Sequence, residues 1–326
     1  MLEGLGLVGN AVVLTVSLLV LSRASDLTIR NSIRVSEVTG LGRTTIGFVL
    51  VAFSTSLPEF FVSVFALLQL GNIGVSIGNV LGSNIMNICL ILGVCFLIIA
   101  RKSPERTFFL PSIVKEEVGG LYFGLFVASI IPLALLYMGY ASQLIGVILI
   151  AVFAFYLYQL STRSMREEGS LGKERQQLRR YTLMTLLGAA GVVITSFFIV
   201  ESASLIASGV GIPPVIIGAT IVAFGTSLPE LVTSVDAVRK GHMDLALGGI
   251  IGSGFTNITL ILGVSLVGSP LRVDMAAFSD LVMFSLMANL ILWYFLSSEK
   301  IGWREGAVLV MTYAFFLMIS FSGHSF

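Results

Sequence analysis

Val51-Ala52-Phe53-Ser54-Thr55-Ser56-Leu57-Pro58-Glu59 recurs as Val222-Ala223-Phe224-Gly225-Thr226-Ser227-Leu228-Pro229-Glu230, identical at eight of nine positions. Each copy sets a Glu beside a Pro, deep inside an apolar segment long enough to cross a bilayer. A carboxylate at that depth is costly, and ionisable groups within membrane spans mark ion or substrate paths. One such Glu is readily incidental; two in matched contexts point to a shared role.

The surroundings are those of a membrane protein. Of 326 residues, 56% are hydrophobic and 11% charged, against about 25% charged in soluble domains. The 34 glycines fit closely packed membrane helices. Cys89 and Cys95 lie six apart in one apolar segment, which makes a disulfide between them implausible, and no Cys/His metal spacing exists. Residues 2–22 are apolar apart from Glu3 and have no basic leader, so they read as a retained first helix and not a signal peptide.

Ten apolar spans, near 4–22, 44–70, 73–99, 118–138, 141–160, 181–206, 213–238, 243–269, 277–297 and 303–322, each approach bilayer length. The second, third, seventh and eighth carry the Gly and Pro interruptions. Of 19 Lys and Arg residues, 18 fall in the connections after the first, third, fifth, seventh and ninth spans, and only Arg272 falls on the other side. The positive-inside rule then sets both termini outside the cell membrane. The sequence thus predicts an all-α membrane protein of ten transmembrane helices in two inverted five-helix repeats. Residues 1–160 form the first repeat, 161–180 a solvated cytoplasmic linker, and 181–326 the second. Inverted repeats are how secondary transporters build a site at the bilayer midplane.

The duplication extends over 47–93 and 218–263. Gly78, Gly82, Ser83, Asn87 and Gly93 match Gly248, Gly252, Ser253, Asn257 and Gly263. Thr55 and Glu59 share a helix face at i,i+4, as do Thr226 and Glu230. Pro58 and Pro229 lack an N–H and crowd the preceding turn, which frees backbone oxygens around Ala52 to Thr55 and Ala223 to Thr226. Such backbone is tolerated within a membrane only where it lines a cavity or finds a partner. Ser83 with Asn87, and Ser253 with Asn257, add hydroxyl and amide oxygens at i,i+4. The set contains oxygen alone, which suits hard cations such as Ca²⁺ and Na⁺ and not metals that favour sulfur or imidazole. Glu201 in the sixth span has no evident counterpart in the first and reads as a helix-packing or interfacial carboxylate; Asp236 lies near a cytoplasmic helix end.

Gly-Thr-Ser-Leu-Pro-Glu followed by Gly-x-x-x-Gly-Ser-x-x-x-Asn, each occurring twice, resembles the alpha repeats of the cation/calcium exchanger superfamily, most closely its prokaryotic sodium/calcium exchanger branch. The resemblance implies Na⁺/Ca²⁺ exchange by alternating access at sites between the second, third, seventh and eighth helices. Carried over by motif position, Glu59 and Glu230 would be ligands shared by Ca²⁺ and Na⁺. Thr55, Thr226, Ser56, Ser227, Ser83 and Ser253 would supply hydroxyl or backbone oxygens. The carbonyls of Ala52 and Ala223 would serve Na⁺, and Asn87 matches the family's Asn. Asn257 stands where some members carry Asp; its neutral amide argues against a potassium requirement. Ser54 replaces the usual Gly. The Gly-Asn-x-x-Glu pattern of proton/calcium exchangers is absent, because Gly78-Asn79-Val80-Leu81-Gly82-Ser83-Asn84 has no Glu and carries Gly82 at the fifth position.

The sequence therefore predicts a secondary antiporter and not an enzyme, without cofactor, with Ca²⁺ and Na⁺ as transported ions. Its partners are those ions and the lipid bilayer, with no nucleic acid and no obligate protein partner. Proton-coupled exchange of Ca²⁺ or another divalent cation is the alternative within the transporter class. A cation channel is the alternative outside it, though two inverted halves of broken helices suit alternating access better.

Overall fold

Within hydrocarbon every backbone N–H and C=O must find a partner in the chain, so long apolar segments fold as helices. The computed structural model describes residues 2–39, 55–68, 73–102, 107–109, 126–127, 130–135, 137, 140–164, 175–241, 243–268, 271–272, 275–297 and 300–322. Nearly all of them are helical.

In chain order, α1 covers Gly6–Thr39 and α2 covers Leu57–Leu68. Helix α3 (73–102) is continuous, with a π-helical stretch at Met86–Leu92. Helices α4 (Gln143–Ser164) and α5 (Arg175–Val210) follow. Helix α6 (214–239) has a π-helical stretch at Gly218–Val222 and bends by 46° between Thr226 and Leu228. Helix α7 (243–268) has its π-helical stretch at Asn257–Ile261. Helices α8 (Met275–Ser297) and α9 (Trp303–Ser322) close the chain. Among the described residues, six helices are long and apolar enough to cross a membrane, and the bent α6 makes a seventh span. The molecule is an all-α membrane protein.

Some boundaries differ from those read in the sequence. Helix α1 runs on to Thr39, well past the apolar span, carrying Arg23, Arg30 and Arg34 on helical backbone. Helix α5 starts at Arg175, inside the stretch read as linker. Hydropathy marks where a helix leaves the bilayer, not where its hydrogen-bond ladder stops, so both helices extend beyond it. Residues 40–54, which hold Ala52 and Ser54, and most of the fourth span lie outside the described residues. The third and eighth spans, expected to be interrupted, are unbroken helices that widen to π geometry instead.

Two-stranded ladders tie the helix ends together. β1 (Thr107–Phe109), after α3, pairs antiparallel with β4 (Lys300–Gly302), before α9. β2 (Tyr140–Ala141), before α4, pairs antiparallel with β3 (Leu271–Arg272), after α7.

Helices α3 and α7 occupy the centre. One hydrophobic core joins them to α8 and α9 through Leu81, Ile85, Phe96, Leu247, Ile258, Leu281 and Phe316. A second, smaller core packs α1 and α5 against α2 and the start of α6 through Leu14, Leu21, Val62, Ile199 and Ile217. The opposite side of α1 presents Val8, Val12, Val16 and Leu19, all exposed, as a face for lipid.

Close backbone contact requires glycine at the centre. A Cβ on Gly82 would clash with the Ala219 carbonyl oxygen, and one on Gly78 would clash with that of Val215. Only a residue without a side chain lets α3 lie this close to α6, which brings their polar groups within reach of one another.

Candidate cation-binding site

The site is assembled at the start of α2 and where α6 resumes after its bend. Glu59 lies in the first turn of α2, and Glu230 in the first turn after the α6 bend. Pro229 has no N–H to give to the Gly225 carbonyl, and the chain turns there with Ser227 at φ −86°, ψ 8°. The positive end of a half-helix therefore faces each carboxylate, an arrangement that favours negative charge. Glu59 is 0% exposed and Glu230 2%.

Hydrogen bonds cross between the halves. Ser227 Oγ donates to Glu59 Oε1 at 3.1 Å. Ser253 Oγ donates to Glu230 Oε1 at 3.4 Å. Ser253 Oγ also lies 3.0 Å from Ser56 Oγ and accepts from Asn87 Nδ2 at 3.4 Å. Thr55 lies beside Glu230, and Thr226 and Ser83 lie beside Glu59. The structure thus brings together Glu59, Glu230, Thr55, Thr226, Ser56, Ser227, Ser83, Ser253 and Asn87. Asn257 donates Nδ2 to Oδ1 of Asn84, the residue after Ser83, at 3.3 Å. Ala52 lies outside the described residues.

Ala223 is brought to the site with its carbonyl in use. That oxygen accepts the Ser227 N–H at 3.0 Å and the Thr226 hydroxyl at 3.3 Å. The oxygen that loses its donor to Pro229 is that of Gly225, four residues before the proline, so the freed backbone is narrower than the sequence suggested.

Of the buried oxygens without a hydrogen-bond partner among the described residues, five belong to the predicted ligands: Glu59 Oε2, Glu230 Oε2, Ser83 Oγ, Asn87 Oδ1 and Asn257 Oδ1. Buried polar atoms are nearly always paired, and an unpartnered buried carboxylate oxygen is among the most costly exceptions. Two carboxylates and three neutral oxygens are a donor set for a hard cation. No cluster of three or more His, Cys, Asp or Glu exists among the described residues, so hydroxyls and amides have to complete any coordination.

Sequence reading missed several participants. Asn79 accepts the Thr226 hydroxyl at 3.0 Å, Asn84 accepts from Asn257, and Ser76 pairs with Ser265 at 2.8 Å across α3 and α7. A search for duplicated residues discards Asn79 and Asn84, because the matching positions in the second half are Gly249 and Gly254. Their signal was adjacency, each directly following a repeated residue, Gly78 and Ser83. Ser56-Leu57-Pro58-Glu59 and Ser227-Leu228-Pro229-Glu230 also have capping-box spacing. Yet Ser227 makes no cap bond to its own helix and donates to Glu59 instead.

The profile of the sodium/calcium exchanger protein family matches residues 9–161 and 180–322. The chain belongs to the sodium/calcium exchanger family. This family is one of transporters and not of enzymes. The exchanger is 32% identical to the sodium/calcium exchanger MaX1 of Methanosarcina acetivorans, over 96% of its own length and 98% of that protein. It superposes on the sodium-calcium exchanger NCX_Mj, in a structure soaked with 10 mM Na⁺, with a TM-score of 0.66 and 27% identity over 95% and 98% of the two chains. The H⁺/Ca²⁺ exchanger CAX shares the fold at a TM-score of 0.77 and 20% identity, covering 96% of the exchanger and 87% of that chain.

Outside the site, Glu201 Oε1 accepts the Leu2 N–H at 3.2 Å, so this carboxylate helps pack the N-terminal turn onto α5. Asp236 pairs with Lys240 at 2.6 Å, both exposed, at a helix end.

Proposed function

We propose that the chain exchanges Na⁺ for Ca²⁺ by alternating access, with both ions competing for one site on Glu59 and Glu230. The observation that carries this reading is the set of unpartnered, fully buried oxygens around those two carboxylates. Two negative charges match one Ca²⁺, and the neutral oxygens serve Na⁺ when Ca²⁺ has left. Ser83, Asn87 and Asn257 act as neutral ligands, with Thr55, Ser56, Ser227 and Ser253 lining and orienting the site. Na⁺ binding at the carbonyls of Ala52 and Ala223, and at Thr226, completes the scheme; at Ala223 the ion takes the place of the Thr226 hydroxyl. Coupling follows because neither ion is bound well while the other holds the carboxylates.

The ten-span, inverted arrangement of 1–160 and 181–326, joined by 161–180, has support in repeated packing. The β1–β4 ladder follows α3 as the β3–β2 ladder follows α7. A Cβ on Gly93 would meet the Gly306 carbonyl at 3.2 Å, and one on its counterpart Gly263 would meet that of Gly146 at 3.0 Å. The six long helices, the bent α6, the shorter α2 and α4, and the fourth apolar span together make ten. Lys102 Nζ donates to the Arg239 carbonyl at 2.9 Å, so the basic ends of α3 and α6 lie together. That supports a common cytoplasmic face and both termini outside the cell membrane.

The test is Ca²⁺ uptake into proteoliposomes loaded with Na⁺, with K⁺-loaded and pH-jump controls, for the wild type and Glu59→Gln. Uptake that needs internal Na⁺ and is lost in the variant is the expected result. Uptake driven by the pH jump alone would reassign the chain to proton coupling. Single-channel currents would reassign it to a channel.

A further inference from the structure

The two halves supply matched ligands but not matched supports. Asn79 and Asn84, both in α3 and both at most 2% exposed, hold groups of the other half: Asn79 accepts from Thr226, and Asn84 from Asn257. The corresponding positions in α7 are Gly249 and Gly254, which have nothing to offer in return. Asn87, the counterpart of Asn257, leans instead on the Ser253 hydroxyl. A Cβ on Gly254 would lie 3.5 Å from Asn84 Oδ1, an ordinary van der Waals contact, so that oxygen packs directly beside α7.

We infer that Asn84 is a positioning residue for ion exchange: by accepting the Asn257 N–H it turns the Asn257 amide oxygen toward the transported cation. An amide has one oxygen and one NH₂ on a common carbon, so fixing the nitrogen fixes the oxygen. Asn257 Oδ1 is buried and unpartnered while its Nδ2 is held, as a waiting ligand requires. Asn257 also opens the π-helical stretch of α7, a type of widened turn that recurs at functional sites. Asn84 touches no ion in this scheme; it acts through Asn257. The inference rests on the site reading above.

The experiment is a double-mutant cycle on Ca²⁺ binding to purified, detergent-solubilised protein, with Asn84→Leu in the wild-type and Asn257→Ala backgrounds. Size-exclusion profile and thermal midpoint are checked for each variant. Losing the orienting bond is expected to raise the half-saturating Ca²⁺ about five- to tenfold in the wild type. It should have no further effect in the Asn257→Ala background, which a general disturbance of packing would not reproduce. If Asn84→Leu does not give a monodisperse protein, Asn84→Ala takes its place in the same cycle. Equal weakening in both backgrounds, or no weakening in the wild type, overturns the inference. Glu59→Gln is run in parallel. If it leaves Ca²⁺ binding intact, the site reading falls and the inference with it. If it abolishes binding while the cycle shows no coupling, only the role of Asn84 falls.

Discussion

The half built on α2 and α3 and the half built on α6 and α7 carry the same ligand types, yet they are held differently. Glu59 accepts from Ser227 of the opposite half and has Ser83 of its own half beside it, whereas Glu230 accepts from Ser253 of its own half and has Thr55 of the opposite half beside it. Thr226 and Asn257 are each held by an amide of α3, and α7 offers glycine at both matching places. Duplication has kept the atoms that can meet a cation and let their supports drift apart. On the proposed reading, ligand chemistry is constrained by an ion that both halves share, whereas a support needs only to fit its local neighbour.

This comparison can be broken most directly at the carboxylates. Glu59→Gln and Glu230→Gln should each cost Na⁺-dependent Ca²⁺ uptake about 100-fold or more, the scale of removing one partner from a buried charge set. A tenfold difference between them in proteoliposome uptake would show that the two halves do not share the charge equally. A proton on either carboxylate cancels the same charge, so apparent Ca²⁺ affinity should fall as pH falls.

Packing equivalence is the next target. Gly93→Ala and Gly263→Ala place a methyl group where it meets Val310 Cγ2 and Ile150 Cγ1, each at 2.9 Å. Both should destabilise by about 1–3 kcal/mol, as overpacking does. Similar drops in thermal midpoint would sharpen the match between halves, and a drop in only one would break it.

The hydroxyls should separate the halves. Ser227→Ala removes a bond to a carboxylate and should weaken Ca²⁺ binding about tenfold, whereas Ser56→Ala removes a neutral pair and should cost about threefold or less. Equal losses by titration would mean that Ser56 reaches the ion directly. The smallest effect is expected at the Asp26–Arg30 pair of α1, which is 2.7 Å long with side chains 37% and 71% exposed. Asp26→Asn should leave both thermal midpoint and uptake within error, because exposed ion pairs contribute little.

Much of this was legible from residue order. The apolar composition, the duplicated Glu-bearing motif and the one-sided distribution of Lys and Arg depend on which residues occur and how they are spaced, so they settle the membrane class, the family resemblance and the candidate ligands without coordinates. Glu59, Glu230, Ser83, Asn87, Ser253 and Asn257 belong to that part: a carboxylate or amide in hydrocarbon needs a purpose wherever the chain places it. Tertiary structure alone decided who supports whom. The Ser227–Glu59 bond joins residues 168 apart and the Asn84–Asn257 bond joins residues 173 apart, and no local period encodes such pairs. The occupied Ala223 carbonyl, the π-helical turns beginning at Met86 and Asn257, and the reach of α1 to Thr39 were equally hidden. Each depends on how a neighbouring helix fills the space beside the backbone, which linear order does not record.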